Sequence, residues 1–246
     1  MIEINSLTIL FDASMDQVNY MKSIALVAAF NEEKTIQEVI SRLKSVNLNS
    51  IVVDDGSIDK TSEIAEKSGA IVTRHPENEG KGEALKTGFE YILKNYPDVD
   101  NIIIVDADLQ YRPEESIRLL KPLENRETDF VMGFRNWRTI PFRHRIGNFV
   151  WRTSFNLFFG TKLKDTNCGF MALSRKAMKK MKRAYGGYII ENMMLIDAIK
   201  NNLKIKQVPV TVEYRLKRNI PSGIKVVLGC LIFIIKEGIK YRLDKI

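Results

Sequence analysis

Cysteine is scarce in this chain. The 246 residues hold two, Cys168 and Cys230, with no C-x-x-C spacing and no Cys/His cluster. That excludes a disulfide framework and a structural zinc site, and it points to a reducing compartment. Residues 1 to 20 contain Glu3, Asp12 and Asp16 but no lysine or arginine, so they lack the basic start of a secretion signal and the arginines of a transit peptide. Met21 opens the first patterned segment, and 1–20 reads as an N-terminal extension or a mis-assigned start. Long apolar runs are missing too. Val226 to Ile235 is uncharged for ten residues between Lys225 and Lys236, well short of the ~20 that a membrane-spanning helix needs.

Two phosphate-binding signatures are incomplete. Gly80-Lys81-Gly82-Glu83-Ala84-Leu85 has Leu85 where a dinucleotide fingerprint needs its third glycine, and no P-loop occurs because Gly82 follows Lys81. Gly80, Lys81 and Gly82 read either as a phosphate-facing helix start or as a plain turn. Acidic residues are nearly absent from one stretch: Arg135 to Arg183 has thirteen Lys or Arg against Asp165 alone, a net of +12. With +8 overall, the remainder carries −4. Such a local field calls for an anionic partner, although RKAMKKMKR (Arg175 to Arg183) also suits a solvated helix face. A nucleic-acid binder would account for the basic stretch but not for acids clustered at strand ends, so nucleic acid is not the expected partner.

What is present is a β/α alternation. The pattern predicts strands at Ser23 to Ala29, Ile51 to Val53, Ala70 to Thr73, Asn101 to Val105 and Thr128 to Met132. Helices are expected from an Asn31 cap through Ile36, Val39, Ile40, Leu43 and Val46, over Thr61 to Lys67 closed by Gly69, and over Glu83 to Asn95. The expected fold class is α/β, a mostly parallel sheet with helices on both faces and ligands beyond the carboxyl ends of the strands. Three polar clusters fall at such ends: Asn31-Glu32, Asp54-Asp55, and Asp106 to Gln110.

The last cluster carries the most chemistry. Ile102 to Val105 is a β-branched run typical of a buried strand, and Asp106, Asp108 and Gln110 follow at every second position. On an extended chain those side chains face one way, and two carboxylates held close favour a divalent cation with oxygen ligands, Mg²⁺ or Mn²⁺. The same aspartates would equally serve to bond loop backbone before Pro113-Glu114-Glu115.

In order along the chain, FNEE (Phe30 to Glu33), VDDGS (Val53 to Ser57), NEGKGEALKTG (Asn78 to Gly88), DADLQ (Asp106 to Gln110), GFR (Gly133 to Arg135) and DTNCGFMALSR (Asp165 to Arg175) stand together. The set closely resembles family 2 glycosyltransferases of the GT-A fold, and among them the dolichyl- or polyprenyl-phosphate sugar synthases of the dolichol-phosphate mannosyltransferase type. The likeness covers residues 23 to about 225. Six ordered motifs are far more specific than one.

The resemblance implies a nucleotide-sugar donor of the GDP-mannose or UDP-glucose type, held by Phe30, Glu32, Val53, Asp55, Lys81 and Ala107. It places the metal and diphosphate at Asp106, Asp108 and Gln110, with Arg135 near the phosphates. Asp165 and Glu191 are the carboxylates that would position sugar hydroxyls, or act as base if the acceptor were a sugar or protein hydroxyl. The acceptor phosphate falls to Arg143 or Arg145, to Arg215 or Arg218, and to Lys225. The family's first motif usually has Pro and Tyr where this chain has Ala28 and Phe30, so a tyrosine hydroxyl contact is lost while ring stacking remains.

The expected layout is a glycosyltransferase domain over 21–215, followed by a basic segment and amphipathic C-terminal helix over 216–246. Phe142 to Phe159 interleaves aromatics with Arg143, Arg145 and Arg152, as an interfacial helix or a core helix would. Together these features lead us to expect an enzyme attached peripherally to the cytoplasmic face of a membrane, with homo-oligomer formation through the C-terminal helix as a further option.

Overall fold

The computed structural model describes residues 22–137, 140, 142–181, 189–213 and 223–244, with the backbone alone for 142–144 and 223–226. Strands β1 (Lys22–Ala29), β2 (Ser50–Asp54), β3 (Ile71–Arg74) and β4 (Val99–Asp106) alternate with helices α1 (Ile36–Lys44), α2 (Thr61–Lys67) and α3 (Lys81–Asn95). They pair in parallel in the order β3-β2-β1-β4. A 3₁₀ turn (Pro113–Glu115) and α4 (Ser116–Glu124) lead to β5 (Phe130–Arg135) and α5 (Phe142–Phe159). After these come β6 (Met171–Ser174), α6 (Arg175–Met178), α7 (Ile190–Lys200), β7 (Ile205–Val210) and α8 (Gly223–Leu243). Strand β6 lies between β4 and β5, antiparallel to both, and β7 runs parallel to β5. The sheet is therefore mostly parallel, with β6 alone reversed.

Burial follows from the sequence pattern. Ile102, Ile103, Ile104 and Val105 are all fully buried, as a central strand covered on both faces requires. On α1, Ile36, Val39, Ile40 and Leu43 bury one stripe at the helical period. The expected Asn31 cap does not form. Thr35 occupies the cap position of α1, while Asn31 takes a left-handed φ of 55° and its side-chain oxygen accepts from the Ile58 N–H at 2.9 Å. Asn31 thus ties the β1 end to the β2 end. Strand β5 also starts later than expected, because Thr128 turns its hydroxyl to the carbonyls of Phe130 and Lys204 instead of extending the strand.

Register brings the polar clusters together. Ala28 pairs with Asp106 and Ala29 with Asp54, so β1, β2 and β4 end level with one another. The residues that follow each strand emerge along a single edge of the sheet.

Helices α5 and α8 run side by side in the same direction. The Trp151 indole N–H donates to the Val227 carbonyl at 3.0 Å, and the Arg242 guanidinium donates to the carbonyls of Leu157 and Phe158, each at 2.8 Å. Phe155 and Phe159 are buried beneath them. The opposite faces carry exposed Ile146, Phe149 and Leu157 on α5 and Leu228, Ile232, Ile239 and Leu243 on α8. The pair is both a core element and an apolar surface. Among the described residues no helix is long and apolar enough to cross a membrane.

Candidate active site

A cavity of about 450 Å³ opens at the carboxyl edge of β1, β2 and β4. Its walls include Phe30 and Glu32 after β1, Asp55 after β2, and Gly80 and Lys81 at the start of α3. Asp106, Ala107, Asp108 and Gln110 follow β4, and Glu191 enters from α7. Nine residues singled out in the sequence therefore meet in one place: Phe30, Glu32, Asp55, Lys81, Asp106, Ala107, Asp108, Gln110 and Glu191. Val53 does not, since it is fully buried in β2 and its side chain belongs to the core.

The two aspartates converge for a different reason than strand alternation. Strand β4 ends at Asp106, and the next residues form a turn in which Leu109 adopts φ 58°. A left-handed conformation is uncommon for a leucine and is held here by burial of its side chain. The turn points Asp108 back into the cavity, where its Oδ1 also accepts from the Gln110 N–H at 3.0 Å. Loop-bonding and cavity-lining are both realised by the same residue.

Lys81 supplies the countercharge. Its ammonium lies 2.5 Å from Asp106 Oδ1 and 3.8 Å from Glu191 Oε1. Burial works to lower its pKa, but Asp106 and Glu191 outweigh that and hold the ammonium well above its ordinary value. Gly169 makes room for this group, for a Cβ there would stand 2.9 Å from Asp106 Oδ2, 3.2 Å from the Lys81 ammonium and 3.3 Å from Glu191 Oε1. Any side chain at 169 would close the space between the carboxylates.

Asp55 organises the adjoining loop. Its Oδ1 lies 2.8 Å from His75 Nδ1 and accepts from the Glu79 N–H at 3.0 Å, while Oδ2 accepts from the Gly80 N–H at 2.8 Å. His75 Nε2 in turn lies 2.9 Å from the Thr87 hydroxyl. A carboxylate only accepts, so Nδ1 carries the proton and the ring is fixed in orientation. Gly56 permits the loop to pass: its φ is 74°, and a Cβ would come 2.4 Å from the Glu77 carbonyl carbon. Neither His75 nor Gly169 is marked out as a site residue by the sequence pattern. A lone histidine and one glycine inside a longer motif carry no spacing signal, and only proximity reveals them.

Arg135 and Asp165 lie elsewhere than expected. The guanidinium donates to both Asp165 oxygens, at 2.7 and 2.9 Å, and the pair lines a second cavity of about 370 Å³ at the ends of β5 and β7. Asp165 thereby holds Arg135 and does not line the first cavity, where Glu191 is the carboxylate that faces Lys81 across from Asp106. Burial lowers and Asp165 raises the Arg135 pKa, and the second effect wins. Arg145 donates to the Ile140 carbonyl at 2.7 Å and lines neither cavity. The side chains of Arg143 and Lys225, and all of Arg215, Arg218 and 1–20, lie outside the described residues.

The first cavity's donor set suits a hard divalent ion. Asp106, Asp108 and Gln110 offer oxygen ligands, and among the described residues no group of three carboxylate, imidazole or thiol side chains is placed to enclose a metal alone. Mg²⁺ ordinarily takes one or two carboxylates and completes its shell with substrate phosphates and water. The residues fit an ion shared with a diphosphate.

Comparison with known proteins agrees with this geometry. An uncharacterized protein of Methanocaldococcus jannaschii is 36% identical over 228 residues, covering 87% of this chain and 93% of the relative. The UDP-N-acetylglucosamine–dolichyl-phosphate N-acetylglucosaminyltransferase of Methanococcus voltae is 29% identical, covering 85% of this chain and 92% of the relative. Among solved structures, glucosyl-3-phosphoglycerate synthase from Mycobacterium tuberculosis, crystallised with Mn²⁺, UDP-glucose and phosphoglyceric acid, superposes with a TM-score of 0.67 at 25% identity. That match covers 95% of this chain and 85% of the synthase. The family model for glycosyl transferase family 2 matches residues 24–182, and the chain belongs to that family, a glycosyltransferase of GT-A-like α/β fold.

Proposed function

We propose that this glycosyltransferase moves a hexose, with inversion, from a nucleotide-sugar of the GDP-mannose or UDP-glucose type to a dolichyl or polyprenyl monophosphate. The observation that carries the reading is the convergence of Asp106, Asp108 and Gln110 with Phe30, Glu32, Asp55 and Lys81 in one cavity. The relatives named for transfer to dolichyl phosphate, including a dolichol-phosphate mannosyltransferase of Pyrococcus furiosus, support the acceptor class.

Asp106, Asp108 and Gln110 would hold Mg²⁺ or Mn²⁺, which supplies Lewis-acid stabilisation to a departing diphosphate. Phe30 offers a ring face for the base, Asp55 fixes the loop beside it, and Lys81 brings a second positive charge to the phosphates. An oxygen of the acceptor phosphate attacks the anomeric carbon as the bond from that carbon to the diphosphate breaks, and the electron pair leaves with the nucleoside diphosphate. A phosphate monoester has a second pKa of about 6 and is already ionised at neutral pH, so no proton need be removed. Glu191 then serves to position sugar hydroxyls.

A hydroxyl acceptor is the second reading. Glu191 favours it, because a carboxylate with a side chain 16% exposed in the donor cavity is placed to act as a base. The two readings separate on Glu191→Gln. With an ionised phosphate acceptor the loss is on the order of tenfold, whereas removal of a true base costs roughly 10²- to 10⁴-fold. The decisive experiment is a panel of nucleotide-sugars with Mg²⁺ or Mn²⁺ and a polyprenyl phosphate, read by mass spectrometry of the lipid. Transfer to a free sugar hydroxyl with none to lipid phosphate would establish the second reading. Asp108→Asn, or chelation by EDTA, lowers turnover by at least roughly 10²-fold while circular dichroism stays unchanged; full activity under either condition removes the metal from the proposal.

Attachment at the cytoplasmic face of a membrane is part of the same proposal. The exposed apolar stripes of α5 and α8, on helices that also carry Arg145, Arg152, Lys236 and Lys240, are the chemistry of an interfacial helix pair.

A further inference from the structure

The turn that carries Asp108 and Gln110 is held from a distant part of the chain. Strand β7 lies three places from β4 in the sheet, yet the residues that leave it return to the turn after β4. The Glu213 N–H donates to the Gln110 carbonyl at 2.8 Å, and Tyr111 and Val212 form an antiparallel bridge. Tyr111 is itself buried, with its ring stacked on Phe170 at 5.4 Å. Thr211 is fixed in turn by Glu115, the last residue of the 3₁₀ turn: one carboxylate oxygen accepts from the Thr211 N–H and the other from its hydroxyl, each at 2.8 Å. The Glu115 side chain is only 13% exposed, so these bonds are shielded from water, unlike the rim pair of Arg112 and Glu213, each about half exposed. Between Asp108 and Gln110, Leu109 holds a φ of 58° that leucine rarely adopts. Such a conformation persists only where its surroundings over-determine it.

We propose that Glu115 is a positioning residue for the metal-binding turn: by fixing Thr211 it docks the chain leaving β7 against Gln110 and Tyr111, and that docking keeps Asp108 and Gln110 directed into the first cavity. The inference rests on the proposed metal role of the turn and adds a group outside the cavity on which that role depends. Glu115 lines neither cavity, so it acts through the backbone alone. Without the dock, Leu109 is free to leave the left-handed region for the commoner right-handed or extended ones, and either change re-aims the side chains on both sides of it. The neighbouring Glu114 makes a contrasting contact. Its carboxylate accepts from the Arg42 guanidinium at 2.6 and 2.9 Å, which ties the same 3₁₀ turn to α1 and not to the chain leaving β7.

The test compares Glu115→Ala, Glu115→Gln and Arg42→Ala in the whole protein, without turnover. Mn²⁺ binding in the presence of UDP or of GDP is followed by water-proton relaxation, and amide hydrogen exchange is followed at Gln110 and Glu213. Glu115→Ala weakens Mn²⁺ binding by roughly tenfold, the lower end of the cost of removing a group that supports a metal ligand, and speeds exchange at both amides. Glu115→Gln recovers most of both losses, because an amide oxygen accepts from the Thr211 N–H and an amide N–H donates to its hydroxyl. Arg42→Ala removes a two-point contact from the same 3₁₀ turn and leaves both readings at the wild-type values. Unchanged exchange in Glu115→Ala overturns the docking, and faster exchange with unchanged Mn²⁺ affinity overturns its bearing on the metal. Glu115→Gln as impaired as Glu115→Ala, or an equal loss of Mn²⁺ affinity in Arg42→Ala, overturns the positioning role. A wild type that binds no Mn²⁺ with either nucleotide overturns the metal reading of the turn, whereas faster exchange in Glu115→Ala still supports the docking.

Discussion

At the scale of the residue, the site is a set of charges whose partners are already chosen. Lys81 answers Asp106 and Glu191, Arg135 answers Asp165, and Asp55 is loaded with one imidazole and two backbone donors. His75 is the residue that acts through another. Removing it takes one donor from a buried carboxylate, so His75→Ala destabilises the fold by about 1–3 kcal/mol and loosens the loop through Glu79 and Gly80. If the proposed donor site is the first cavity, the expected kinetic signature is a donor KM raised severalfold with kcat nearly unchanged, because the loop shapes that cavity rather than the reacting atoms. Unchanged KM together with the stability loss would confine His75 to the fold. The carboxylates of the first cavity that follow β2 and β4 were legible in the sequence because they close a strand pattern. His75, Gly169 and the pairing of Arg135 with Asp165 were not, since their partners lie at least twelve residues away along the chain.

At the scale of the element, α5 and α8 show how an ambiguous helix is resolved. The aromatic and basic residues of Phe142 to Phe159 suited either a core or an interfacial helix, and the periodicity allowed both because each face is apolar. Packing divides them, with Phe155 and Phe159 turned inward and Ile146, Phe149 and Leu157 outward. The contact between the two helices depends on Gly238, where a Cβ would stand 2.5 Å from the Phe158 Cβ. Gly238→Ala forces the helices apart and costs about 1–3 kcal/mol, read as a lowered thermal midpoint. A variant as stable as wild type would mean that α8 shifts along α5 at no cost. The turn after β4 is the parallel case: alternation predicted that Asp106 and Asp108 face together, and they do, although a left-handed Leu109 rather than an extended chain brings it about.

At the scale of the whole molecule, charge and grease are segregated. The acids of the first cavity lie at strand ends, Arg145 and Arg152 lie on α5 while Arg175 and Lys176 sit at the far edge of β4 beside Tyr96, Val99 and Asp129, and the exposed apolar stripes form one further surface. Peripheral attachment predicts co-flotation with anionic liposomes that is released by high salt or alkaline wash. Retention through both washes would indicate insertion, and absence of binding would remove the membrane from the proposal. Alkali should also act on the fold itself. Burial pushes the Cys168 thiol up from 9.0 to about 12. The folded protein keeps that proton where the unfolded chain has lost it, so the contribution is whole below pH 9 and is lost as pH rises toward about 12. Guanidinium unfolding at increasing pH reads the decline, and Cys168→Ala flattens it. An equal slope in both proteins would assign the alkaline loss to other groups.

The order of strands and helices, the burial of Ile102 to Val105 and the grouping of acids at strand ends are local properties, set by side-chain period and by residues that stop a strand. The sequence by itself determined those, and with them the family. Long-range contact decided the rest. Parallel register brought Ala28 level with Asp106 and Ala29 level with Asp54, and so gathered three loops into one cavity. The reversed strand β6 displaced β5 and β7 to the far side of β4, which carried Arg135 and Asp165 away from the first cavity and into a second one. No local pattern encodes which of two cavities a side chain enters, because that choice depends on strand order, and strand order is settled only when the whole sheet has buried its faces.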